Sequence, residues 1–167
     1  MNYPYGPPGY PVYGYPAPPK AGGGTAITGG ILALLQGLLW SAAAVGGAFG
    51  TRSDVRSGAG HLVIDFVLLI LLGVVAALFL SGSVLLLARR GVGRVLVIMA
   101  AVLVMLGLAG WAVFVAATEP FEKSDVAFMA VFLTIGFTFH VITLCLAAAR
   151  STGRWIAARQ QLQYPYY

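Results

Sequence analysis

Four stretches of the chain, 21–51, 66–88, 95–118 and 126–149, contain no Asp, Glu, Lys or Arg and are built from Leu, Val, Ala, Gly and Phe. About 20 apolar residues in a helix cross the ~30 Å hydrocarbon layer of a bilayer, so each stretch is long enough to span it. The pattern predicts an all-α integral membrane protein, a four-transmembrane-helix bundle occupying about 25–150, with spans near 26–49, 61–88, 94–117 and 124–150. Thr25 is a reasonable N-cap for the first span. The second exceeds a minimal crossing and should tilt or protrude. Arg-Arg-Gly-Val-Gly-Arg at 89–94 is short enough to force spans two and three into an antiparallel hairpin, and Pro120 breaks the chain before span four. After Arg150, the segment carrying Arg154, Trp155, Ile156, Arg159 and Leu162 reads as a short juxtamembrane helix at the headgroups, within a terminal region of 151–167.

Composition closes off other classes. With 59% hydrophobic and 9% charged residues and a mean hydropathy of +0.88, a separate soluble domain has no room. The net charge of +5 would suit nucleic acid if spread evenly. It is instead sorted. If the N-terminus is cytoplasmic, the inner face holds seven basic residues, Lys20, Arg89, Arg90, Arg94, Arg150, Arg154 and Arg159, and no acid. The outer face then holds three, Arg52, Arg56 and Lys123, together with Asp54, Asp65, Glu119, Glu122 and Asp125. A Lys/Arg excess in short loops marks the cytoplasmic side, so both termini are expected inside, in a plasma membrane. Arg89, Arg90, Arg94, Arg150, Arg154 and Arg159 are then the candidates for lipid headgroup contact, with membrane lipids as partners and nucleic acid excluded. The first apolar run is too long for a secretory signal, which has an apolar core of roughly 7–15 residues.

Residues 1–20 contain seven Pro, five Tyr and three Gly, and with the Gly-rich joint to 24 they read as a disordered cytoplasmic tail of polyproline II character. The other tyrosines are Tyr164, Tyr166 and Tyr167, so the interfacial aromatic positions of the spans fall to Trp40, Trp111, Trp155 and the phenylalanines. Pro7, Pro8 and Tyr10 form a Pro-Pro-Xaa-Tyr motif of the kind WW domains read, in a composition where such a match arises readily. Cys145 is the sole cysteine, which excludes an intrachain disulfide.

Inside the spans, two polar residues stand out. Gln36 and His140 lie at matched depth from the Arg-bearing ends of spans one and four, about 15 Å in at 1.5 Å per residue, and could hydrogen-bond to one another. A structural interhelical bond is the favoured reading and a proton relay the sharper one. The first span is rich in small residues, among them Gly37 and Ala44, with Gly46 and Gly50 forming a GxxxG; packing within the monomer is favoured over a homo-oligomer interface. His61 and Asp65, spaced i, i+4, are too few for a metal site and read as a solvated helix start. No phosphate-binding loop, nucleophile elbow or zinc-protease motif is present, so no enzyme, cofactor, catalytic residue or metal is expected.

The stretch Pro-Lys-Ala-Gly-Gly-Gly-Thr-Ala-Ile-Thr-Gly-Gly-Ile-Leu-Ala-Leu-Leu-Gln-Gly, following a Pro/Tyr/Gly tail, resembles small actinobacterial multi-span membrane proteins with proline-rich N-terminal tails. The resemblance covers residues 1 to about 50 and implies a bacterial inner membrane; it transfers no functional residue. The expected role is a membrane scaffold or accessory subunit recruiting protein partners through its tails. The alternative is a small oligomeric transporter or channel using Gln36 and His140 as polar lining.

Overall fold

The structure is a computed structural model that describes residues 22–58, 62–118 and 123–163. Those residues form five helices in chain order, α1 (Gly24–Ser57), α2 (Leu62–Leu87), α3 (Gly91–Thr118), α4 (Lys123–Ala148) and α5 (Arg150–Gln163). In lipid every backbone N–H and C=O must find its partner within the segment, which a continuous helix provides. Among the described residues the five helices contain no proline. The first four helices are long and apolar enough to cross a membrane, and the chain is a multi-span membrane protein.

The ends of α1 differ from the sequence reading. The helix begins after Gly23, and no side chain caps it. Thr25 lies inside the first turn, and its hydroxyl is 2.8 Å from that of Ser151 on α5. At the other end α1 continues past residue 49 to Ser57 and stops at Gly58, whose φ of 67° is the left-handed conformation that ends helices. The stretch carrying Arg52, Asp54 and Arg56 is therefore helical. Polarity there marks the edge of the apolar span, and backbone conformation marks the end of the helix; at 34 residues α1 is about 50 Å long, so it protrudes from the bilayer.

The turn between α2 and α3 is tight because α2 closes with a Schellman motif. Arg90 N–H donates to Leu85 O at 2.9 Å and Arg89 N–H to Leu86 O at 3.0 Å, with Arg89 left-handed at φ 58°. Only Ala88, Arg89 and Arg90 separate the helices, which makes the pair the antiparallel hairpin the sequence predicts. Close approach follows from paired glycines. A Cβ on Gly93 would lie 2.8 Å from Gly82 O, and one on Gly82 would lie 3.1 Å from Val97 N. Helix α1 packs on α2 in the same manner, in antiparallel register: Gly30 faces Leu87 and Gly37 faces Leu80, with the added Cβ 2.8 Å from a leucine methyl in each case. Gly29 seats against Leu146 and Ala147 of α4.

The core is lopsided. Its buried apolar side chains include Ala26 and Ala33 of α1, Phe79 and Leu86 of α2, Val97 and Ala100 of α3, Ala147 of α4, and Trp155 with Ile156 of α5. The core runs from the end where α1 starts, where α2 turns into α3 and where α4 meets α5, called here the arginine end, to the middle of α2 and α3 at Val75 and Val104. Toward the opposite, distal end, large apolar residues such as Phe49, Val63, Val113 and Phe128 point outward. Such surface is what a membrane protein presents to acyl chains.

Candidate functional site

Gln36, Trp40 and His140 build the one polar cluster inside the spans that sequence reasoning singled out in part. Gln36 and Trp40 are one helical turn apart and share a face of α1. His140 comes from α4, with Phe79 of α2 beside it at 5.9 Å between ring centroids. Gln36 is 1% and His140 5% exposed, so both are sealed from the outside.

The two residues are brought to the same level but do not bond through their side chains. Gln36 Nε2 donates to the main-chain oxygen of Phe139 at 3.3 Å, the residue before His140. His140 Nδ1 is 2.7 Å from Gly136 O on its own helix. A carbonyl oxygen can only accept, so Nδ1 carries the proton, and Nε2 of the uncharged ring is left as an acceptor. That nitrogen, Gln36 Oε1 and Trp40 Nε1 are buried and make no hydrogen bond among the described residues. The Trp40 ring stands 6.2 Å from the imidazole, tilted by 55°. Two buried acceptors and one buried indole donor thus lie without partners in this part of the bundle.

Trp40 was expected in an interfacial belt and instead belongs to this cluster. Its position one turn after Gln36 was the available signal. Thr143, one turn after His140, was also passed over: it is fully buried and donates at 3.0 Å to the same Phe139 oxygen that Gln36 reaches.

The arginine end is held by side chains crossing between helices. Thr152 Oγ1 donates to Leu146 O at 2.8 Å and lies 3.2 Å from Thr25 Oγ1, tying the start of α5 to α4 and α1. Trp155, expected at the headgroups, is buried instead, against the backbone at Gly23, with the Arg89 guanidinium 4.4 Å from its ring centroid. Arg94 Nη2 donates to Ala148 O at 2.7 Å, supplying a partner for one of the last carbonyls of α4. Arg150 and Arg154 border the same region from α5, while Arg90 is exposed at the turn. The side chain of Arg159 lies outside the described residues.

The helix-packing candidates divide. Gly37 lies against Leu80 and Ala44 is half-buried, whereas Gly46 and Gly50 have no atom within 4 Å of where a Cβ would stand. Gly93, which sets the tightest backbone approach, was read as part of a turn, and Gly82, packed against Leu96 and Val97, was not singled out. Asp65 lies in the first turn of α2. Cys145 is a free, exposed thiol. Among the described residues no three of His, Cys, Asp and Glu stand together as a metal site. His61, Pro7, Pro8, Tyr10 and both tyrosine-bearing tails lie outside the described residues.

Comparison with known proteins finds no family model, no curated protein and no solved structure that matches the chain.

Proposed function

We propose that the chain is a non-enzymatic scaffold or accessory subunit of a membrane assembly, with its arginine end and both tails on the cytoplasmic side. The observation that carries this reading is the sealing of the polar cluster. A solute path needs polar lining open to both faces. Here Gln36 and His140 are buried, and one amide N–H of the first and the imidazole Nδ1–H of the second donate to main-chain oxygens. Among the described residues the distal half adds only Thr51 as a buried polar residue. A monomer of this shape anchors and positions. The charge sorting supplies the orientation, and the Pro/Tyr tails at the two ends of the chain supply the recruiting elements.

Purification from the native membrane in mild detergent tests the reading, comparing the full chain with one lacking residues 1–20. A stoichiometric partner retained by the first and lost by the second is the expected result. A homo-oligomer alone that conducts in liposomes would favour the second reading, an oligomeric transporter or channel, for which the three unpartnered polar atoms of Gln36, Trp40 and His140 are the specific support.

A further inference from the structure

Between the start of α3 and α5 runs a groove with two chemically different ends. One end is a cavity of about 660 Å³ lined by Arg94, Arg150 and Arg154, with Gly153 at its floor. The other, about 520 Å³, is walled by Val95 and Ile98 of α3 and Ile156 of α5, and it shares Arg94 and Gly153 with the first. The two depressions adjoin at Arg94, Gly153 and Ala157, one cationic where the helices end and the other apolar where α3 enters the span. No acidic side chain lines either part.

Each half of the groove has a reason in the sequence. Arg94 is held in place by its bond to Ala148 O, which uses Nη2 and leaves the remaining guanidinium donors for another acceptor. Gly153 lets the guanidinium lie close against α5: a Cβ there would stand 2.9 Å from Arg94 Nη1. Arg150 and Arg154 are one turn apart on α5 and so flank the same opening. Three guanidinium groups around one cavity suit an oxyanion with several acceptor oxygens, and phosphate is the group whose geometry matches the arginine fork. Along α3, Val95 and Met99 are more than half exposed and Val102 and Leu106 follow at helical spacing, so the apolar wall extends into the span as an open track.

We propose that this groove binds one anionic phospholipid, its phosphate held by Arg94, Arg150 and Arg154 and an acyl chain lying along Val95, Ile98 and Met99. The apolar wall selects a lipid over free phosphate. The clustered positive charge selects a headgroup without an ammonium, because choline or ethanolamine would bring a second cation among three arginines. The site does not depend on the scaffold reading, since a lipid clamp of this kind fits an anchor or a transporter equally.

The test uses the full chain in nanodiscs and in detergent, with native mass spectrometry and titration of phosphatidylglycerol, phosphatidylcholine, deacylated glycerophosphoglycerol and inorganic phosphate. One phosphatidylglycerol per chain should remain bound through gentle activation, and phosphatidylcholine should not. Arg150→Gln and Arg154→Gln should each weaken binding about fivefold and together about thirtyfold, at roughly a factor of five per basic contact near the surface. Arg90→Gln removes the same charge outside the groove and should change binding less than about twofold. Both α5 variants leave the Arg94 bond intact, and an unchanged melting point checks that they are folded. Equal losses in all three variants would mean diffuse attraction to an anionic surface and would overturn the site. Binding of inorganic phosphate or the deacylated headgroup as tight as that of the lipid would remove the acyl track and overturn the lipid assignment.

Discussion

Gln36 of α1 reaches the main chain of α4 at Phe139, one residue before the histidine it was expected to meet, with a 3.3 Å bond from Nε2 to the carbonyl oxygen. The carbonyl also accepts from Thr143 Oγ1, so it is a shared acceptor at the middle of the bundle. Interhelical hydrogen bonds in lipid contribute ~0.6 kcal/mol on average and rarely above ~1.7 kcal/mol. Gln36→Leu should therefore cost about 0.5–1.5 kcal/mol, and because the acceptor is backbone, His140→Leu should leave the bond intact. The double-mutant cycle is expected to be additive within ~0.5 kcal/mol. A coupling above about 1 kcal/mol, measured by reversible unfolding in micelles or bicelles, would place the imidazole itself in the bond.

The α2–α3 hairpin rests on backbone contact at Gly93, where an added Cβ would meet the main chain of Leu85, Leu86 and Gly82 and no flexible side-chain end is available to yield. Packed interiors do not absorb an added methyl without strain. Gly93→Ala should destabilise the bundle by about 2–3 kcal/mol or abolish its assembly. Gly46→Ala and Gly50→Ala meet nothing within 4 Å and should be neutral or gain up to ~1 kcal/mol from helix propensity. Melting curves in detergent separate the two classes. A large loss at Gly46 or Gly50 would reveal a contact with a second chain.

The spans were legible because hydropathy and length are properties of the sequence alone, and Pro120 marks a break that any apolar window respects. Two kinds of feature were not legible. The end of α1 was missed because residues 50–57 are polar yet contain no proline, and polarity reports the membrane boundary while helix termination needs Gly58 to turn left-handed. The packing glycines were missed because a Gly is informative only once its neighbour is known: Gly46 and Gly50 match a motif and touch nothing, while Gly93 matches none and sets the closest backbone approach. The polar cluster was half legible for a related reason. Depth counting aligned Gln36 with His140, but which atom a side chain reaches depends on rotation about the helix axis, and that rotation is set by Gly30, Gly37 and the leucines opposite them.

Arg89 occupies the left-handed position that normally falls to glycine, and its guanidinium lies over Trp155. A side chain there costs roughly 1–2 kcal/mol, against a cation–π contact that contributes ~0.5–1 kcal/mol at a partly exposed site. Arg89→Gly should thus be near neutral in overall stability, within about 1 kcal/mol, and Arg89→Ala should be the less stable of the two by ~1 kcal/mol. Both should loosen α5, because Trp155 loses the group above it. Hydrogen exchange over α5 should rise in both variants while exchange in α1 and α2 stays unchanged. Unaltered α5 protection would show that the burial of Trp155 and Ile156 holds the helix without help from Arg89.

That the N-terminal end of α1 and helix α5 lie on the same side follows from geometry, since Thr25 and Ser151 touch across 126 residues of chain with a 2.8 Å hydroxyl contact. Which side that is, on the proposed reading, is set by charge. Arg89, Arg90, Arg94, Arg150 and Arg154 ring the end where the core is packed, and the acidic residues Asp54 and Asp65 lie at the other. Translocating the arginine end would carry these residues across the membrane against the potential, at about 2.3 kcal/mol per charge per 100 mV. Reporter fusions near Lys20 and after Gln163 should therefore read cytoplasmic, and one after Glu122 should read external. Moving three of the arginines to the distal end, by Arg90→Gln, Arg150→Gln and Arg154→Gln with three Arg substitutions between 52 and 58, should produce a mixed population if charge alone sets orientation. A unique, unchanged orientation in that variant would assign the decision to the order in which the spans insert, and a cytoplasmic reading at Glu122 in the wild-type chain would reverse the protein.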